Sequence, residues 1–310
     1  MTLISRRAFL EQCSLAAAVS LAPRLAAGAA GPRVDFPTAP RDRICVASYP
    51  FREFIAGHDA KPGNGPMDLK DFAAHVKAKF QINKIEPWTG HFPSTDPRYL
   101  AQFRAALDKC GCQVANMAVD GEDSPYSADP AERARAVAFS KRWVDIAVVL
   151  GAPGIRTNLP AAHDSQPDLA RTADTLRRVV DYAAGKNIVI SLENDNPVSE
   201  DPFFIVKLIE KVNSPWLHAL PDFANTLAHH DPEYAYRAID AMFAQAYSIC
   251  HVKETELTEK GTPVHVDLAR TFGYLKQHAY KGYCSIEWDS PGDPYAGTAD
   301  LIAKTVHYLS

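Results

Sequence analysis

Four residues able to bind a metal, Glu193, Asp222, His251 and Glu287, each stand at or near the end of a short apolar run. The runs occupy 188–192, 217–221, 247–250 and 283–286. Their ends are separated by 29, 29 and 36 residues, room for one strand, one helix and two loops per unit. Carried at the carboxyl ends of four successive parallel strands of a (β/α)8 barrel, the four would converge at one mouth, where such barrels place their chemistry. Side chains alternate along a strand, so Ser191 shares a face with Glu193, Leu220 with Asp222, Ile249 with His251 and Ser285 with Glu287. If that face is the lumen, each ligand is the last inward residue before its loop. Buried carboxylates need a counter-charge. Three of them with one imidazole suit Mn²⁺, Mg²⁺ or Co²⁺ better than a structural zinc, with Zn²⁺ still open. Taken singly, each residue reads equally as a helix cap or a loop acid. Recurrence at the same point of four units favours one divalent metal ion.

Further candidates surround that mouth. Glu86 and Trp88 follow the second strand, His91 lies in the next loop, Arg156 and Asn158 end the fourth strand, and Asn225 stands three residues after Asp222. All are read as substrate contacts. Lys253 shares a strand face with His251 and could steady an oxyanion, or be a solvated loop lysine. Trp88 and Trp288 could stack on the apolar face of a ligand or merely cap the mouth. His218 reads as a core histidine and His229-His230 as loop and cap chemistry. Cys110-Gly111-Cys112 lacks the spacing of a redox or zinc pair and reads as a helix end capped by Gly111.

The elements that must position these residues alternate along the chain. Strands are expected at 43–48, 83–88, 113–119, 154–158, 188–193, 217–222, 247–252 and 283–287. Helices are expected at 67–80, 97–110, 130–150, 167–185, 201–212, 232–244, 267–279 and 297–309. Asp96-Pro97, Asp129-Pro130, Asp201-Pro202 and Asp231-Pro232 mark helix starts: Pro fits the first turn, where its missing N–H is harmless, and the Asp can accept an orphan amide. Eight units imply an α/β fold with a single (β/α)8 TIM barrel over 43–310.

Ahead of it, Ser5-Arg6-Arg7-Ala8-Phe9-Leu10, an apolar stretch and the small residues Ala27-Gly28-Ala29 read as a twin-arginine export signal over 1–29, followed by a proline-bearing linker at 30–42. The expected location is periplasmic or elsewhere in the cell envelope, with the twin-arginine machinery as a partner. Removing that leader takes away three arginines and one glutamate and moves the net charge from −4 to −6. An acidic chain has no electrostatic reason to bind nucleic acid. No later apolar run is long enough for a stable membrane span. Five of the six cysteines remain, an odd number that argues against a disulfide framework. A homo-oligomer stays open.

The motifs LEN at 192–194, PDF at 221–223, HVKE at 251–254, VDLARTFGYLK at 266–276 and GYCSIEW at 282–288 resemble the xylose-isomerase-like TIM barrel superfamily, in its sugar isomerase and epimerase branch. The resemblance implies that Glu193, Asp222, His251 and Glu287 hold one divalent metal and that the two glutamates also serve as acid and base. It implies an exported sugar isomerase or epimerase that abstracts a proton beside a carbonyl through a metal-bound enediolate. The same abstraction on a 3-keto-glycoside, with loss of the aglycone, would make a lyase. A non-catalytic sugar-binding barrel has no use for both glutamates. Similar ketose epimerases carry a His three residues after the metal Asp and an Arg six after the metal His; here Asn225 and Leu257 stand there, so hydroxyl recognition must differ. The repair endonucleases of the same superfamily use an Asp-x-x-His at the sixth strand, which this chain lacks.

Overall fold

A computed structural model describes residues 31–57 and 59–310, so the expected leader at 1–29 lies outside the described residues. The strands are β1 (Ile44–Ala47), β2 (Lys84–Glu86), β3 (Gln113–Val114), β4 (Met117–Val119), β5 (Gly154–Thr157), β6 (Val189–Glu193), β7 (Leu217–Leu220), β8 (Ile249–Val252), β9 (Thr255–Leu257), β10 (Pro263–His265) and β11 (Tyr283–Ile286). The α-helices are α1 (Leu69–Phe80), α2 (Pro97–Cys110), α3 (Pro130–Leu150), α4 (Leu169–Ala184), α5 (Pro202–Val212), α6 (Asn225–His229), α7 (Pro232–Phe243), α8 (Leu268–Gln277) and α9 (Pro294–Leu309).

Parallel ladders run β3-β2-β1-β11-β8 and β4-β5-β6-β7. Two seams close them into a barrel. At the first, β3 and β4 form one stave interrupted at Ala115 and Asn116, and the bridge between Trp88 and Ala118 carries pairing across to β4. At the second, Asp222 bridges to His251 and Ala219 to Ala246, joining β7 to β8. The expected third strand, 113–119, is therefore broken in two, and at the break the Asn116 side chain donates to Glu86 Oε1 at 2.7 Å.

Helix starts follow the expected chemistry with one exception. The side chains of Asp129, Asp201 and Asp231 accept the amides of Ala131, Phe204 and Tyr234. Asp96 makes no such bond, although Pro97 still opens α2. Gly111, at φ +63°, ends α2, and the Cys112 amide donates back to Leu107 as expected of a left-handed cap.

Apolar side chains form two shells. The larger lies between strands and helices, where Phe72, Val76, Phe103, Leu176 and Leu208 are all buried. The smaller fills the base of the lumen with Cys45, Ala115, Leu220, Ile249 and Tyr283. The segment expected as a featureless linker seals that base. Phe36 meets Tyr247 and Tyr283 edge-on, at 5.4 Å each. The Arg33 backbone exchanges two hydrogen bonds with Asn187, and Arg43 donates to the carbonyls of Tyr280 and Gly282.

Two elements were not anticipated. The hairpin of β9 and β10 and the short helix α6 both occupy loops at the mouth.

Candidate metal centre and active site

Each expected ligand lies within two residues of the carboxyl end of its strand, and barrel closure brings the four together. One ligand atom from each of Glu193, Asp222, His251 and Glu287 lies within 4.8 Å of all the others, and all four residues are buried. His251 Nδ1 is 2.7 Å from Glu193 Oε1, 3.1 Å from Glu287 Oε2 and 4.0 Å from Asp222 Oδ2. Its other nitrogen, Nε2, is 2.9 Å from Glu86 Oε2. A carboxylate behind a ligand histidine fixes ring orientation and raises basicity. The nitrogen left facing the other three ligands is Nδ1.

The Asp222 loop is stapled in place. Asn194 accepts the Asp222 amide at 2.8 Å and donates to its carbonyl at 3.0 Å and to Thr226 at 2.8 Å. Asp222 Oδ1 accepts the amides of Ala224 and Asn225. Its Oδ2 is buried without a hydrogen-bond partner. An orphaned carboxylate oxygen aimed at two further carboxylates and an imidazole is the donor set of a hard divalent cation. The residues present therefore fit one metal ion.

Electrostatics point the same way. Burial, together with Glu193 and Glu287, lifts Asp222 to about 7 against the pull of Lys253 and His251. Burial opposes charge on His251, yet Glu193, Glu287 and Glu86 hold it well above the usual imidazole range. Burial would raise Glu287 too, but His251 and Lys253 keep it far below the ordinary carboxylate value. Crowded carboxylates with displaced pKa values at a barrel mouth mark a functional site.

A cavity of about 370 Å³ opens above the cluster. Glu193 and Glu287 line it, while Asp222 and His251 lie behind them and do not. Of the other expected residues, Trp88, Arg156, Asn225 and Lys253 also line it. Arg156 Nε sits 2.8 Å from Glu193 Oε2, a charge contact off the hydrogen-bond angle. Lys253 is buried, not solvated: its Nζ lies 2.9 Å from Asn225 Oδ1, 3.3 Å from Glu287 Oε2 and 3.6 Å from Asp222 Oδ2.

Three expected substrate contacts are placed differently. Glu86 borders the cavity, but its two oxygens are taken by His251 and Asn116, so it supports a ligand. His91 is buried against Ser48 at 2.9 Å and does not line the cavity. Asn158 holds Gly121 through both its amide groups and borders a separate cavity of about 210 Å³. Trp288 packs onto Gly297 of α9, away from the cavity.

The sequence reading missed Tyr49, Asp120, Asp195 and Glu256, which line the cavity. Asp120 accepts Trp88 Nε1 at 2.5 Å and pairs with Arg156. It follows β4 directly, the same acid-after-strand signal that marked the ligands.

A model of the family described as xylose isomerase-like TIM barrel matches residues 72–305. The chain belongs to this family. Among curated proteins, none matches the sequence. Solved structures of similar fold include a xylose isomerase-like TIM barrel protein from Mycobacterium smegmatis in complex with magnesium, at 17% identity and a TM-score of 0.66, covering 86% of this chain and 96% of that one. D-allulose 3-epimerase from Methylomonas sp. is similar at 18% identity and a TM-score of 0.67, over 89% and 100% of the two chains. The 3-keto-D-glucoside 4-epimerase of E. coli is similar at 17% identity and 0.61, over 85% and 98%. At these identities the likeness is one of fold.

Proposed function

We propose that the protein is a divalent-metal-dependent sugar isomerase or epimerase that moves a proton at the carbon beside a carbonyl. The observation that carries this is the division of labour within the cluster: Glu193 and Glu287 reach both the ligand set and the cavity, whereas Asp222 and His251 reach only the ligand set. Carboxylates that face the substrate space can take and return protons. A divalent ion held by the four would supply Lewis-acid polarisation of the sugar carbonyl.

The chain's own groups divide the remaining tasks. Glu193 and Glu287 approach from β6 and β11, so one removes the proton and the other delivers it from a different side. Arg156, 2.8 Å from Glu193 Oε2, holds that carboxylate in place. The Lys253 ammonium, beside Glu287 and Asp222, balances the charge of the carboxylates around the cavity. Trp88 and Tyr49, edge-to-face at 5.5 Å, offer an apolar wall for the sugar.

The test is solvent-deuterium incorporation in a screen of free sugars and 3-keto-glycosides, with and without Mn²⁺. Wild type should place deuterium on the carbon beside the carbonyl. Glu193→Gln or Glu287→Gln should slow turnover by at least ~10²-fold with substrate affinity little changed. Absence of exchange with every metal and sugar would refute the reading. The same abstraction followed by expulsion of an aglycone gives a lyase, and the 3-keto-D-glucoside 4-epimerase among the similar structures supports keeping such glycosides in the screen. We place this activity outside the cytoplasm on the strength of the signal read at 1–29. Arg6→Lys combined with Arg7→Lys should leave the precursor uncleaved inside the cell.

A further inference from the structure

The charge of the cavity is lopsided. Eight of its lining residues carry carboxylates, and Asp222 adds another just behind. Among the described residues, Arg156 and Lys253 are the only arginine and lysine that line it. Neither is available to a ligand anion. Arg156 is held by Asp120 and Glu193. Lys253 is shared by Asp222, Glu256 and Glu287. Arg52, just outside, is paired with Asp289 at 3.0 Å and lies over the Tyr49 ring. Two positive charges from a divalent ion still leave the carboxylates in excess. The rest of the lining includes the rings of Trp88 and Tyr49 and the side chains of Asn225 and His229, while the loop carboxylates Asp195 and Glu256 accept hydrogen bonds but cannot donate them when ionised.

Resting on the function proposed above, we propose that the substrate is an uncharged sugar, free or as a glycoside, and that sugars bearing a phosphate or carboxylate are turned away by the cavity's charge. A polyol hydroxyl is a donor and meets acceptors on every side. A phosphate dianion brings only acceptors, finds Arg156 and Lys253 already paired, and is repelled by the surrounding carboxylates, a repulsion that added salt weakens. Phosphate sites instead present unpaired arginines or open helix N-terminal amides, whereas here both cations are paired and the amides of Ala224 and Asn225 at the start of α6 donate to Asp222.

The test is calorimetric binding of ketohexoses and their 1- and 6-phosphates to the full mature protein loaded with Mg²⁺, at low and high salt. The phosphates should bind roughly tenfold or more weakly than the parent sugars at low salt, and the gap should narrow as salt screens the repulsion. Glu256→Gln, which releases part of Lys253, should narrow the gap several-fold through the phosphates. Salt dependence of the wild type carries the same information should that variant fail to fold. A phosphorylated sugar that binds as tightly as its parent, or a gap insensitive to salt, overturns the proposal. Binding of the neutral sugar without deuterium exchange would leave this proposal standing and sink the isomerase reading instead.

Discussion

The two ends of the lumen are built from the same staves and do opposite things. At the base, Cys45, Ala115, Leu220, Ile249 and Tyr283 pack together under Phe36, and no charge is buried among them. At the mouth, Glu86, Glu193, Asp222, His251, Lys253 and Glu287 are all buried within a few ångströms of one another. Burying apolar area contributes about 25 cal/mol per Å², whereas burying charge costs several kcal/mol per ion unless it is paired. The base therefore stabilises the barrel, and the mouth draws on that stability to hold carboxylates in the arrangement proposed above to take a cation and a sugar. The two sets of side chains alternate along the same strands: Leu220 at the base lies two residues before Asp222, and Ile249 two before His251.

The largest break in this contrast should come from the mouth ligands that do not face the cavity. Asp222→Ala and His251→Ala should each lose the bound ion, going from about one per chain to none, because an incomplete and charge-unbalanced site no longer holds it. Metal analysis after gel filtration reads this directly. Stoichiometric metal in both variants would move the site elsewhere. Folding should persist in both, since the base is untouched.

Glu86→Gln sharpens the comparison by removing a charge without removing a ligand. The Gln can still meet Nε2 but no longer strengthens the ring as a base, so metal affinity should fall ~10–100-fold. Competition with a chelator of known affinity measures it. An unchanged affinity would show that the contact at 2.9 Å is packing and no more.

The mouth should also show its cost as a pH dependence in chelated protein. Partial desolvation at the cavity rim and Glu193 raise Asp195 to about 6, against Arg156 and Lys253, from an unfolded value near 3.9, although its side chain still meets solvent. A carboxyl raised in the folded state contributes stability that is fully present below the unfolded pKa and is lost as pH rises through the folded one. Between about pH 4 and pH 6 this group should remove at most about 1 kcal/mol, because its exposed side chain is screened by solvent. Asp222, at about 7, acts with the same sign. Urea titrations across this range should show stability falling with pH in the wild type and falling less in Asp195→Asn. Parallel curves would mean that Asp195 titrates as an exposed acid.

The parts of this design differ in how legible they are in the chain. Helices α2 and α3 match their expected limits because local chemistry brackets them, Asp-Pro before and a left-handed glycine after. The four ligands could be found because each ends an apolar run, a signal that needs no knowledge of what lies across the barrel. Glu86 looked like a substrate contact because its partner His251 is 165 residues away, and only closure of the barrel sets one against the other. The break at Ala115 and Asn116 was hidden for the same reason. The hairpin of β9 and β10 lies in a polar loop with no apolar periodicity, and its strands expose rather than bury their side chains. Tertiary contacts decide these features, and a run of sequence does not contain them.

Phe36 was the least legible residue of all, standing in a proline-bearing stretch that reads as a linker, and it gives the mildest test. Its ring packs edge-on against Tyr247 and Tyr283 and closes the base cluster. A fully buried Phe→Ala change costs ~3–5 kcal/mol. Phe36 is only half-buried, so Phe36→Ala should cost between ~1 and 2 kcal/mol, with edge-to-face contacts supplying part of that. Metal affinity and turnover should stay at wild-type values, because the residues of the proposed metal site hang from the other ends of the staves. Denaturant unfolding and metal titration on one preparation check both halves. If stability falls while the metal also weakens, the base and the mouth are coupled through the strands. The separation drawn between them would then have to give way to a barrel that tenses as a whole.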